Sequence, residues 1–247
     1  MDLYFLISLG VGVILIILER LIPARPLPHV QGWWLRVVII NVIQATVIFG
    51  FGSLWAEIFS GSSVLQLKEW NIWASAFAGY FVITFVFYWW HRWRHQVYWL
   101  WRIMHQIHHS ANRIETITSF YKHPIEITFN SIIISFIVFS ILGMSPASVA
   151  ILNFLMCLAE YLYHMNIRTP HWYGYIFQRP ESHRVHHQRG RHTSNFSDLP
   201  IWDIFFGTFN NPKYDVECGF HPEREARFTD MLLFKEVNRP IRRIKKL

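Results

Sequence analysis

The sequence predicts an all-α fold, a multi-pass membrane bundle of helices with a histidine-rich helical cap on its cytoplasmic face. Three observations predict this fold: five apolar runs, three compact groups of histidines and a one-sided distribution of basic residues. Of the 247 residues, 52% are hydrophobic and 17% are aromatic. This composition is typical of lipid-exposed helices with aromatic anchors at the membrane surface. We expect residues 1–247 to form a single domain.

The first apolar run covers residues 3–18 and is just long enough to cross a thin membrane. A secretory signal peptide would begin with basic residues and end at a small-residue cleavage site, whereas this run follows Asp2 and leads into Glu19. We therefore expect a retained span. The loop at 20–31 contains three prolines, which cannot continue a helix.

Four more apolar runs follow in order. The second covers about 34–59 and the third about 73–90, with a turn at 61–63 between them. The fourth, 125–142, begins just after a proline, which suits the first turn of a helix, and the fifth covers 147–163. The last two runs predict a hairpin, and the sequence leaves open whether both of its helices cross fully.

Basic residues indicate how the bundle is oriented. If the N-terminus lies outside and all five runs cross, only Lys68 of the 23 Lys and Arg residues falls on the outer side. By the positive-inside rule, the histidine groups and everything after residue 164 then face the cytoplasm, and a re-entrant hairpin would give the same sidedness. The basic run at 242–246 is expected to face lipid headgroups. The net charge of +7 therefore needs no nucleic-acid partner.

Histidines are concentrated in three boxes, the first of which directly follows the third apolar run. The second and third boxes share the pattern HX2HH, whose offsets of three and four residues bring side chains to one helical face. The boxes contain His91 and His95; His105, His108 and His109; and His183, His186 and His187. For any single histidine, a polar surface role is the competing interpretation. With His164, which lies between the second and third boxes, nine imidazoles exceed the ligands of one tetrahedral ion, which predicts two metal ions.

The three boxes, in this order, resemble those of the fatty acid hydroxylase and sterol desaturase superfamily of membrane di-iron oxygenases. The flanking sequences are similar as well: WLW at 99–101, RPES at 179–182, LPIWD at 199–203 and FGTF at 206–209. The resemblance covers roughly residues 70–212. It implies that all nine histidines are metal ligands, with His164 as the additional ligand that the superfamily places near this position.

The resemblance also implies an activity and its partners. The expected reaction is hydroxylation or desaturation of a fatty acyl, sterol or related lipid by O2 at two iron ions, within membrane lipids. An all-imidazole site would also accept zinc, so zinc is possible as a substitute. Cys157 and Cys218 are the only cysteines, and the sequence has no dinucleotide-binding fingerprint. Electrons are therefore expected from a separate reductase with a cytochrome b5-like protein or a ferredoxin.

Several residues near the boxes are candidates for supporting roles. Four polar side chains could hydrogen-bond the second ring nitrogen of a ligating histidine, or could simply cap helices: Asp198, Asp203, Glu181 and Asn166. Arg184 is expected to pair with one of their carboxylates. Weaker ligand candidates are His123, which precedes a proline and so suits a helix start, His171 and His192. His29 and His221 are treated as background.

Three other functions compete with an oxygenase. A membrane protein that transports or senses zinc or iron would place ionisable ligands along its spans, but the spans are nearly free of them, with Glu160 near one span end and Glu126 at a span start. A bis-histidine haem protein would need histidines within facing spans. A zinc hydrolase would want an acidic general base of the HExxH type, and the boxes contain none.

Overall fold

The computed structural model describes residues 3–238 of the chain. Within this range five helices are long and apolar enough to cross a membrane. They are called the first to fifth spans below: Leu3–Leu21, Trp33–Phe59, Ile72–Gln96, Pro124–Ile141 and Pro146–His164. Each corresponds to one of the five predicted runs. The basic run at 242–246, predicted to face headgroups, lies outside the described residues.

The third span is longer than the apolar run that predicted it. It continues to Gln96, so that His91 and His95 still lie on the helix. Asn71 caps its start: the side-chain oxygen of Asn71 accepts hydrogen bonds from the backbone N–H groups of Trp73 at 3.0 Å and Ala74 at 3.4 Å. Such a cap satisfies donors that a helix start leaves without intrahelical partners.

The fourth and fifth spans are joined by a short turn, as the predicted hairpin requires, but each packs mainly against other spans, the fourth against the second and the fifth against the third and first. The fourth is α-helical over Pro124–Ser135 and ends in a π-helical segment, Phe136–Ile141. The connecting turn places Gly143 at φ +60°, a conformation that favours glycine. Ser145 then caps the fifth span by accepting a hydrogen bond from the backbone N–H of Ser148 at 3.2 Å.

The connections between spans meet at two opposite ends of the bundle. At one end the loop after the second span donates backbone hydrogen bonds to the end of the fourth, from Leu65 N to Ile141 O and from Lys68 N to Gly143 O, both at 2.8 Å. At the other end Ala24 N bonds Asn166 O at 2.7 Å, which joins the loops after the first and fifth spans. Lys68 and the histidine boxes are therefore at opposite ends, as the charge-based topology requires.

The helical cap at the histidine end consists of short segments. They are Tyr98–Leu100, the π-helical segment Trp101–His105, Gln106–Ser110, Thr116–Phe120, His171–Tyr175, Pro180–His186, Pro200–Phe205, Pro222–Glu225 and Phe228–Leu232. Residues 3–238 contain no β-strand, only an isolated bridge between Gln188 and Cys218. The all-helical fold predicted from the sequence is therefore confirmed, whereas its orientation in the membrane stays a prediction.

The cap has its own apolar core, which the second span enters. Trp33, at the start of that span, packs with Trp101, Tyr121, Phe220 and Met231, all of them buried. Within the bundle, the third span packs against the fifth, the fifth against the first, and the second against the fourth. The cap is thus fixed to the ends of the spans by shared side-chain packing.

A buried carboxylate at the end of the first span also joins the cap to the bundle. Glu19 accepts three hydrogen bonds of 2.9 Å, from the backbone N–H and hydroxyl of Thr116 and from the backbone N–H of Asn166. Its side chain therefore connects the first span, the segment after the second histidine box and the end of the fifth span.

Replacing Glu19 by leucine should destabilise the protein, because three buried donors lose their acceptor. We expect a loss of about 2 kcal/mol or more, which corresponds to a fall in the thermal midpoint of about 4–8 °C for a chain of this size. Thermal unfolding of the purified protein in detergent measures it. Glu57→Leu, at an exposed position of the second span, is the control and should change the midpoint little; equal midpoints for both variants would contradict this role of Glu19.

Candidate metal centre

All nine predicted histidines converge at the cap end of the bundle in two groups. The first group contains His91, His95, His105, His109 and His186, and the second contains His108, His164, His183 and His187. Within each group, one nitrogen of every ring lies within 4.8 Å of the corresponding nitrogens of the others. Four of the five rings in the first group and all four in the second are buried.

The first group combines histidines from all three boxes. His91 and His95 come from the third span, and the centroid of the His186 ring lies 4.5 Å from that of His91. His95 and His109 are likewise 4.5 Å apart. The chain therefore brings residues separated by about a hundred positions into ring contact, as the spacing of the boxes predicted.

The second group shows the closest approach of ring nitrogens. Nε2 of His183 lies 3.0 Å from Nε2 of His164 and 3.1 Å from Nε2 of His187. His183 and His187 are four residues apart at the end of the helix Pro180–His186, and His164 ends the fifth span. His109 and His187 stack at 4.2 Å, so the two groups touch each other.

Backbone carbonyls fix the orientation of three of these rings. Nδ1 of His91 bonds Phe196 O at 2.8 Å, and Nδ1 of His186 bonds Ser194 O at 2.7 Å. Nδ1 of His164 bonds the carbonyl oxygen of Glu160 at 2.8 Å. Because a carbonyl oxygen only accepts, each Nδ1 must carry the proton, which leaves the Nε2 lone pair for the interior of its group.

A buried carboxylate orients a fourth ring. Nδ1 of His105 lies 3.1 Å from Oε2 of Glu126, and the guanidinium of Arg94 forms an ion pair with the same carboxylate. In the sequence, Glu126 stands out only as an acidic residue at the start of a span. An ionisable side chain in the first turn of an otherwise apolar helix is expensive to bury, and this cost was the signal that it needed a partner.

The four predicted supporting residues bond other groups instead. Asp203 accepts hydrogen bonds from the backbone N–H of Phe196 at 2.8 Å and Ser197 at 2.9 Å. Glu181 bonds Thr169, Asn166 bonds the backbone of Arg25, and Asp198 faces Tyr163. Arg184 pairs with Asp215 rather than with any of these carboxylates. Of the two roles that the sequence left open for these four residues, the structure shows bonds to other groups, because backbone carbonyls and Glu126 hold the outward nitrogens of four of the histidines.

The three weaker candidates for metal ligands have different positions and contacts in the structure. His123 caps the fourth span, where its Nδ1 accepts from the backbone N–H of Ile125 at 3.1 Å, as its place before a proline predicted. His171 bonds Asn211 O at 3.1 Å, outside both groups. His192 is buried and its ring lies 4.4 Å from that of His109, although it belongs to neither group. His29 is exposed.

The two groups suit transition-metal ions because their imidazoles are neutral and several of the ring nitrogens have no hydrogen-bond partner. Burial lowers the pKa of His105, His108, His109, His183 and His187 well below the usual value, and lowers that of His186 to about 3. Several buried nitrogens have no hydrogen-bond partner, among them Nε2 of His91, His105 and His186 and both nitrogens of His95 and His109. Buried lone pairs of this kind are costly unless a ligand such as a metal ion binds them.

These features define a helical membrane protein with an all-histidine site, suited to metal ions, where the spans meet the cap. The sequence profile described as fatty acid hydroxylase matches residues 76–208, more than half of the chain. The chain belongs to this family. The matched region contains every histidine of the two groups.

Individual relatives cover smaller parts of their own sequences. Alkylglycerol monooxygenase of Homo sapiens is 32% identical over 155 residues, which are 61% of this chain and 33% of the relative. Very-long-chain aldehyde decarbonylase GL1-11 of Oryza sativa subsp. indica is 41% identical over 68 residues, and methylsterol monooxygenase 2-1 of Arabidopsis thaliana is 40% identical over 68. Both matches cover 27% of this chain and 25% of the relative. The chain thus spans at most a third of these relatives' length. No solved structure matches the chain.

The stability of the metal-free protein should depend on pH in a defined direction. A buried histidine whose pKa is lowered stays neutral in the folded state, whereas in the unfolded state it takes up a proton below about pH 6.5. The unfolding free energy should therefore be constant above about pH 7.5 and fall as the pH drops through 6.5, by up to about 1.4 kcal/mol per pH unit for each such histidine.

Denaturant unfolding in detergent between pH 8 and pH 5.5 measures this dependence. His186→Leu removes one of these histidines, so its pH dependence should be shallower by up to one proton. An unfolding free energy that stays flat between pH 7.5 and pH 5.5 would contradict neutral burial of the cluster.

Proposed function

We propose that the protein is a membrane di-iron monooxygenase that hydroxylates or desaturates a lipid, using O2 and electrons from a separate donor. The observation that carries this proposal is the pair of touching histidine groups at one end of the membrane bundle. Membership of the fatty acid hydroxylase family supports it. The substrate is proposed to be a fatty acyl, sterol or related lipid.

The nine histidines of the two groups are the proposed ligands, five for one ion and four for the other. Two iron ions bound there would supply the reduction of O2 that oxidation of an unactivated C–H bond requires. Iron is preferred over zinc in this proposal because the reaction needs a redox-active metal, although imidazole sites bind both. Zinc remains the expected substitute in a preparation poor in iron.

The surrounding residues hold the ligands and exclude water. The carbonyls of Ser194 and Phe196 and the carboxylate of Glu126 fix three rings of the first group from outside. Such outward bonds orient ligating histidines and raise their basicity. Trp101, fully buried, closes the first group on the cap side, with its ring centroid 5.4 Å from those of both His95 and His109.

A lipid substrate is supported by position and by the relatives. His91 and His95 lie at the end of the third span, immediately after Trp89 and Trp90, where aromatic side chains usually mark the membrane surface. The names of the relatives refer to an alkylglycerol, a methylsterol and a very-long-chain aldehyde. A long apolar chain could therefore reach the site without leaving the membrane region.

The electrons are proposed to come from a separate reductase, with a cytochrome b5-like protein or a ferredoxin. Two cysteines are too few to hold an iron–sulfur cluster, and both are free in the structure. Metal transport, the competing function, fits the geometry less well. The two groups touch at one end of the bundle, whereas a transport path would distribute its ligands between the two ends.

Replacing His186 by alanine should abolish lipid oxidation and leave membrane insertion intact. Nε2 of His186 faces the first group and its Nδ1 is held by Ser194 O, so its loss removes one ligand without touching the apolar spans. Product formation in membranes supplied with a reductase, and iron per chain, measure the effect. His29→Ala, at an exposed position, should retain activity. Full activity of the His186→Ala protein would exclude this box as a metal site.

The histidine end of the bundle is proposed to face the cytoplasm. Reporters fused after Leu247 and inserted at Gly61, which lie at opposite ends of the proposed topology, test this. The first should be active only as a cytoplasmic reporter and the second only as an extracytoplasmic one, because the positive-inside rule leaves only Lys68 outside. The reverse pattern would overturn the orientation and would leave the charge distribution unexplained.

A further inference from the structure

In the first histidine group, only some of the rings have a hydrogen-bond partner outside the group. Three of its rings have an outward partner for Nδ1: His91 has Phe196 O, His186 has Ser194 O and His105 has Glu126. The other two, His95 and His109, have no hydrogen-bond partner on either nitrogen. A ligating imidazole almost always donates its second N–H to a fixed acceptor, so these two rings need a partner that the other three already have.

His192, which lies outside the first group, is in contact with both of these rings. Its ring centroid lies 4.4 Å from that of His109 and 5.6 Å from that of His95. It is only 2% exposed, and neither of its ring nitrogens has a partner in hydrogen-bonding geometry, although the Gln188 carbonyl lies near one of them. A buried imidazole without a hydrogen bond costs free energy, which makes a permanent packing role an expensive use of histidine.

The segment that carries His192 already positions the first group. Ser194 and Phe196, two and four residues further on, supply the carbonyls that hold His186 and His91. Asn195 lies between them at φ 59°, and its side-chain amide donates to Ser182 O and Asn210 O, both at 2.8 Å. A non-glycine residue in this backbone region persists only where the surroundings impose it.

The same segment is also held by contacts with Asp203 and Trp101. Asp203 binds the backbone N–H groups of Phe196 and Ser197 and accepts a 2.7 Å hydrogen bond from the hydroxyl of Thr208. Trp101 stacks on the ring of His192 at 5.2 Å, with an interplanar angle of 29°. His192 is therefore held on a rigid segment, against the two unsupported rings.

We propose that His192 is the outward positioning residue for the His95–His109 pair: its one acceptor nitrogen takes the outward N–H of one of these two rings, as carbonyls and Glu126 do for the other three. This inference rests on the proposed metal-binding role of the first group. His192 is not a sixth ligand, because its ring contacts only two of the five rings, whereas the nitrogens of those five lie within 4.8 Å of one another.

A role in packing alone predicts different consequences of substitution. Phenylalanine at position 192 keeps an aromatic ring of similar width against Trp101 and removes both nitrogens. Glutamine removes the ring and keeps a hydrogen-bonding group of similar reach. If His192 only fills space, the phenylalanine variant should resemble the parent protein; if it positions ligands, the glutamine variant should.

The test uses the full chain in detergent, loaded with Zn(II) and equilibrated with increasing concentrations of a chelator of known affinity. In the parent protein two ions per chain should resist the chelator. In His192→Phe one of the two should bind about 10–100-fold more weakly, the usual effect of losing an outer partner of a ligand. His192→Gln should stay within about threefold of the parent, on the scale of a retained hydrogen bond. His171→Phe, outside both groups, is the matched control and should leave both ions unchanged.

Three results would overturn the proposal: unchanged retention of both ions in His192→Phe, equal weakening in the phenylalanine and glutamine variants, or weakening in the His171→Phe control of the same size. Gel filtration of each variant verifies that the chain remains folded. A parent protein that retains both Zn(II) ions but, when loaded with iron and supplied with a reductase, oxidises no lipid would refute the proposed function and leave this test intact. A parent protein that retains no ion would overturn both.

Discussion

Nine imidazoles can share one end of a helical bundle only while they remain uncharged, and much of the architecture serves that condition. Burial penalises the imidazolium form, which keeps the rings of the cap neutral and their lone pairs available. Each neutral ring still carries one N–H, which needs a hydrogen-bond acceptor. Backbone carbonyls accept this hydrogen bond from three of the rings and Glu126 from another, and inward nitrogens such as Nε2 of His91, His105 and His186 are left without protein partners.

This arrangement requires a cap that does not shift against the spans, and buried carboxylates provide the attachment. Glu115, fully buried, pairs with Arg20 and accepts a 2.9 Å hydrogen bond from the indole N–H of Trp33. Glu225 likewise pairs with Arg36 of the second span. Removing one partner from such buried pairs leaves an uncompensated charge, so they fix geometry more than they add stability.

Membership of the fatty acid hydroxylase family and this geometry agree on where the chemistry would occur. The matched residues, 76–208, include the third to fifth spans and the third histidine box, whereas the first two spans lie outside them. Those first two spans nevertheless contribute Glu19 and Trp33, which hold the segment between the second box and the fourth span. The family region thus depends on structure that precedes it.

The sequence by itself determined the five spans and the identity of the clustered histidines. Both follow from local signals, since apolar length dictates a span and box spacing places histidines on one helical face. The sequence also predicted that His123 would start a helix.

Only the tertiary structure decided how the nine histidines divide into two groups, and which residues support them. Asp198, Asp203, Glu181 and Asn166 were plausible partners by proximity in sequence, yet Glu126 and two carbonyls of the segment after the third box took that role. Hydrogen bonding depends on which surfaces meet when helices pack. No periodicity in the chain records that the start of the fourth span lies against His105, or that His192 lies against His109.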